Sequence, residues 1–226
     1  MAHELGELSA LAIALGLTPL HISLLLLVLL GPSPLRRGVL FVGTWLVTSG
    51  LALPLLLLLG HGLTLEMGHG KPHHVLLDLA AATGLLLLGL REAMIRETPG
   101  QAPAWTERLN QFCALPLPVL LAMSIGLQLS SPGNLLIYTE AAGSILSARL
   151  GPDDELLAIS LFALLSSVFL LGPLLLVLLL GPETTLPLLN RTKAWLFNHA
   201  NRLVALVSLA LAGYLLWKAL DPLLPR

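Results

Sequence analysis

Thiol chemistry has almost nothing to work with in this chain: of its 226 residues, Cys113 is the one cysteine. A single thiol excludes an internal disulfide, a CxxC redox pair and a multi-cysteine metal site. Charge is scarce as well. Asp, Glu, Lys and Arg make up 11% of the residues, under half the share of an ordinary soluble domain. The formal net charge is −1, and no basic stripe marks a nucleic-acid partner. Catalytic signatures are missing too: there is no Gly-x-Ser-x-Gly elbow, no His-Glu-x-x-His pair and no phosphate loop, so the chain reads as a non-enzyme. What fills it is leucine, 69 residues within a hydrophobic share of 56%. A soluble fold of this size cannot hide so much apolar surface, because a large part of any folded surface faces water. A protein whose outer surface faces lipid can.

The runs between charged residues measure the spans, since a charge at the bilayer centre costs several kcal/mol unless paired or hydrated. Uncharged runs of 28, 28, 12, 31, 27 and 15 residues follow Glu7, Arg37, Asp78, Arg108, Glu155 and Arg202. About 20 apolar residues cross the hydrocarbon, so four runs suffice alone. The 12-residue run becomes a span if Asp78 lies inside it or at its rim, and the 15-residue run if Lys218 snorkels to the headgroups. The expected fold is an all-α integral membrane protein forming one transmembrane domain over residues 1–226. Its six helices lie near 9–30, 38–60, 74–92, 113–140, 156–181 and 198–219. Helices 1 and 4 are interrupted, at Pro19 and Pro132. The N-terminus lacks a basic n-region and its apolar stretch is too long for a removable signal.

The run lengths repeat as long, long, short. Pro19 and Pro132, Arg36 and Arg149, and Gly38 and Gly151 all keep an offset of 113 residues, half the chain. This pattern predicts two three-helix repeats, 1–100 and 101–226. An odd number of spans per repeat makes the halves inverted, an arrangement characteristic of secondary transporters that bind substrate between the halves. Eight of the twelve basic residues fall in loops 1–2, 3–4 and 5–6, so the positive-inside rule places both termini on the non-cytoplasmic side.

Proline inside a helix frees backbone carbonyls, and at membrane depth such a break persists only where protein or water satisfies them. Helix 1 carries Thr18, Pro19, His21 and Ser23, and helix 4 carries Ser131, Pro132 and Asn134, with Tyr138 one turn beyond Asn134. Matched breaks beside hydroxyl, amide and imidazole groups point to substrate binding by these eight residues. Each break alone also reads as a plain proline kink. Asp78 and Glu140 are the proton-coupling candidates. Counted along an unbroken helix from about residue 115, however, Glu140 falls at the outer headgroups and is merely solvated. His61, His69, His73 and His74 around loop 2–3 suggest a divalent metal (nickel, cobalt or zinc), although they form no complete ligand motif and also read as a solvated turn.

The chain resembles the LysE superfamily of six-helix exporters, and within it the GAP or Sap branch of glycopeptidolipid- or sulfolipid-addressing proteins. The likeness runs over nearly the whole chain. It is carried by Thr18-Pro19, Gly31-Pro32-Ser33-Pro34-Leu35-Arg36-Arg37, Phe41-Val42-Gly43-Thr44-Trp45, Pro103-Ala104-Trp105, Ser131-Pro132-Gly133-Asn134, Gly172-Pro173 and Trp195-Leu196 with His199. Where the branch reads Asn-Pro-Lys-Asn in helix 4, this chain has Ser131-Pro132-Gly133-Asn134, without the lysine. The resemblance implies export of a lipid-like or small amphiphilic metabolite across a bacterial-type inner membrane, with membrane lipids and that amphiphile as partners and no cofactor. A homodimer fits the leucine-dense exterior. The other readings open at this point are a divalent metal-ion exporter and a non-transporting membrane assembly factor or subunit.

Overall fold

The computed structural model describes residues 2–66, 72–95 and 115–220, with side chains placed over 6–60, 78–95 and 115–220. Every regular element among them is a helix: α1 (Ala2–Gly16), α2 (Pro19–Leu30), α3 (Pro34–Glu66), α4 (Pro72–Met94), α5 (Leu117–Ser130), α6 (Pro132–Ala148), α7 (Pro152–Leu180) and α8 (Pro182–Leu220). Six of the eight open on proline. Its fixed φ suits a first helical turn, where the missing N–H has no intrahelical acceptor in any case.

Three of these helices are long and apolar enough to cross a bilayer: Pro34–Gly60, Pro152–Leu180 and Pro182–Leu220. Two further crossings arise if each bent pair is one span. Gly6–Gly16 meets Pro19–Leu30 at 54°, and Leu117–Ser130 meets Pro132–Ala148 at 67°. The predicted interruptions at Pro19 and Pro132 are therefore where the helices break. The predicted third span falls in α4, whose side chains are described only from Asp78 onward.

The outer surface is leucine. Leu58, Leu59 and Leu179 are 69%, 65% and 78% exposed, an arrangement that water penalises and lipid does not. Inside, α4 lies against α8 and α3 against α7, with α1 packed on α6 and α7, and α2 on α3 and α8. The core between them includes Leu11, Leu15, Trp45, Leu53, Phe162, Leu170 and Leu215.

Two expectations change. Residues 182–197, read as part of loop 5–6, belong to α8, whose 39 residues make a rod about 58 Å long. Its polar segment stays helical because Thr185, Leu189, Leu196 and Ala200 recur on one buried face. Glu140 is not solvated either: α6 restarts at Pro132 and runs on to Ala148, placing Glu140 two turns inside the helix and 1% exposed.

Candidate functional site

The two breaks have nearly the same backbone. Thr18 has φ −63° and ψ 109°, and Ser131 has φ −68° and ψ 119°. Each precedes a proline, whose ring disfavours the α conformation in the residue before it; at Thr18 and Ser131 that residue is extended and the rod breaks, whereas Pro54, Pro173 and Pro187 stay inside helices. Gly16 lets the first break lie deep in the bundle, since a Cβ there would sit 2.5 Å from the Ser166 carbonyl oxygen of α7.

Side chains take over the hydrogen bonds that the breaks release. Thr18 Oγ1 donates to Leu15 O at 2.6 Å and lies 3.3 Å from Asn134 Oδ1. Asn134 Nδ2 donates to Gln128 O, a carbonyl of the last turn of α5, at 3.1 Å. The two breaks, more than a hundred residues apart in sequence, thus touch through Thr18 and Asn134.

Between them lies a cavity of about 480 Å³, within the range of small-molecule sites. Thr18, Pro19, Ser131, Pro132 and Asn134 are among its lining residues. Leu17, Leu20, Leu85, Leu88, Ile137 and Leu211 line its walls, and Arg91, Glu92 and Asn201 stand at its polar end. Arg91 is exposed, which marks that end as the open one.

His21, Ser23 and Tyr138 are not on the cavity wall. His21 and Tyr138 are buried in a polar seam among α2, α3, α5 and α6, and Ser23 is buried with its hydroxyl unpartnered. Gln128 Nε2 donates to Ser49 Oγ at 2.9 Å and to the Tyr138 hydroxyl at 2.7 Å, and those two oxygens are 3.0 Å apart. One turn along, His21 Nε2 faces Ser124 O at 3.4 Å and its ring meets Trp45 edge-on at 4.5 Å. Asn134 and Tyr138, four residues apart, serve different neighbours, the opposite break and this seam.

Asp78 and Glu140 come together in a third place. Lys218 Nζ lies 2.6 Å from Glu7 Oε1, 3.1 Å from Glu140 Oε1 and 3.3 Å from Asp78 Oδ1. The carboxylates come from α1, α6 and α4 and the ammonium from α8, so one cation ties four helices together. Sequence reasoning missed Glu7, which reads as a chain-end charge, and treated Lys218 as a headgroup anchor. The usable signal was that a helix span of 15 uncharged residues ends on a lysine while Asp78 needs a partner. The seam residues Ser49 and Gln128 were missed as well, because a lone Ser or Gln in a leucine run carries no signal of its own.

Of the candidate metal ligands, His61, His69, His73 and His74 lie outside the residues whose side chains are described. Among the described residues no group of three His, Cys, Asp or Glu side chains is placed to hold a metal ion.

Fold and site together define a helical, multi-pass membrane protein with an amphipathic cavity where two proline-broken helix pairs meet. The chain belongs to the family described as Sap, sulfolipid-1-addressing protein, whose sequence model matches residues 8–221. No curated protein and no solved structure matches it.

Proposed function

We propose that the chain is a secondary transporter of the LysE superfamily that exports a small amphiphilic or lipid-like metabolite across a bacterial-type inner membrane. The observation that carries this reading is the cavity at the meeting of the two breaks: leucine walls suit an acyl chain, and its polar end suits a head group. The family's name, which refers to a sulfolipid, supports an anionic head group beside Arg91.

Six spans in two inverted repeats, 1–100 and 101–226, account for the packing. Exchanging α1, α2, α3 and α4 with α5, α6, α7 and α8 maps the α4–α8 and α3–α7 pairs onto themselves. It also turns α1–α7 into α3–α5, α2–α8 into α4–α6 and α2–α7 into α3–α6, all of which are contacts. The α1–α6, α2–α3, α7–α8, α5–α6 and α1–α8 contacts have no counterpart of similar extent among the described residues. Matching breaks at Thr18 and Ser131 agree with the repeat, as do the positive φ angles of Ser33 (53°) and Arg149 (48°) where each broken span ends. With basic loops on the cytoplasmic side, both termini are non-cytoplasmic and the cavity opens inward. In this reading α4 is the remaining span, its Asp78 shielded by Lys218. Thr18, Ser131 and Asn134 contact the substrate with the carbonyls freed at Pro19 and Pro132. His21 and Tyr138 hold those breaks in place, and Ser23 is left without an assigned role. No reaction is catalysed and no cofactor is needed.

The test is transbilayer movement of a fluorescent acylated sugar sulfate in proteoliposomes, read by quenching with dithionite. The expected result is protein-dependent movement that is lost in Thr18→Val with Asn134→Ala. Movement no faster than in protein-free vesicles would overturn the export reading and favour an assembly role.

A further inference from the structure

The charged cluster and the cavity are stacked in the same order on four helices. α1 passes from Glu7 to Thr18 and α4 from Asp78 to Arg91, while α6 and α8, running the other way, reach Glu140 and Lys218 last. On α4 and α8, seven residues separate the cluster (Asp78, Lys218) from the cavity wall (Leu85, Leu211), a rise of about 10 Å. Leu11, Ala82 and Leu215, which lie between, are buried. The cluster therefore closes the end of the molecule away from the cavity mouth.

Its charges do not balance. Three carboxylates surround one ammonium. Glu140 Oε2 is buried and has no donor facing it. Three ionised carboxylates buried around a single ammonium leave negative charge uncompensated, which favours a proton on one of them. Lys218 already fills the centre of the cluster, so the uncompensated charge calls for a proton rather than a metal ion. The titratable groups around Glu140 are Glu7 from α1, Asp78 from α4, and Lys218 and Tyr214 from α8. α3 and α5 meet α6 through the neutral Ser49 and Gln128.

We propose that the cluster holds one exchangeable proton, on Glu140, and that this proton keeps the end opposite the cavity closed. With it bound, Lys218 ties α1, α4 and α6 to α8. Without it, the buried carboxylates repel, water enters and that end opens. Release of the proton toward the cavity and recapture from the opened end moves a proton inward as the amphiphile moves outward. This rests on the export reading and supplies its coupling ion.

The test needs no transported lipid, so it can fail independently of export. Ala82→Cys in a Cys113→Ser background, reconstituted in liposomes, reports opening of the charged end by its rate of reaction with a membrane-impermeant maleimide. Comparing it at each pH with the same protein carrying Glu140→Gln cancels the ionisation of the thiol itself. Ser208→Cys, on the cavity wall, reports the other end. The two Ala82→Cys rates should agree in acid and diverge as pH rises, by up to about tenfold per pH unit, the limit for one linked proton. Glu140→Asp should follow the native residue, and Ser208→Cys should react more slowly as Ala82→Cys reacts faster. A ratio that stays at unity across the pH range overturns the proposal. So does a parallel rise at both cysteines, which is general loosening.

Discussion

Asn134 is the side chain through which each break depends on the other, because its amide caps α5 and its carbonyl faces Thr18. Asn134→Ala should leave the Gln128 carbonyl buried and unsatisfied, at a cost of about 1–3 kcal/mol. A lower thermal midpoint of the purified protein in detergent checks this, and an unchanged midpoint would contradict it. Tyr138→Phe should be milder, about 1 kcal/mol, because Gln128 keeps its bond to Ser49. The same unfolding assay ranks the two. Thr18, Ser131 and Asn134 were legible because proline announces freed carbonyls and a polar neighbour is the natural acceptor or donor for them. Glu7 and Lys218 were not, since a charge near a chain end is ordinarily solvated and only a tertiary contact gives it a buried partner.

At the scale of the helix, small residues set how near two rods approach. Gly16→Ala places a methyl carbon against the Ser166 carbonyl, and α1 must move away from α7 at a cost of about 1–3 kcal/mol. Because α1 carries Glu7 and leads directly into Thr18, export of the fluorescent amphiphile should fall together with the midpoint; a loss of stability with full export would separate α1 from the transport site. Breaks and starts of helices were written in the prolines. The length of α8 was not: the segment around Arg191 and Lys193 looks like a loop until Leu189, Leu196 and Ala200 find a buried face.

Across the whole molecule, the α4–α8 pair is the seam between the two proposed repeats. A Cβ at Gly89 would lie 2.8 Å from Leu209 Cγ, within reach of a disulfide between the two positions. Gly89→Cys with Leu209→Cys, in a Cys113→Ser background, should therefore cross-link under mild oxidant. Mass spectrometry of the linked peptides reads the result, and separate peptides would contradict this packing of the halves.

Composition alone decided that the protein lives in lipid, because so little charge and so much leucine leave no other solvent for its surface. Pro19 and Pro132 marked where two helices break, since a proline disfavours the helical conformation just before its ring; that Pro54, Pro173 and Pro187 stay within helices was decided by packing. Only the tertiary structure decided that these breaks meet, that a cavity opens beside them, and that Glu7, Asp78 and Glu140 converge on Lys218. Those facts depend on how rods pack, and packing brings together side chains that no spacing along the chain relates.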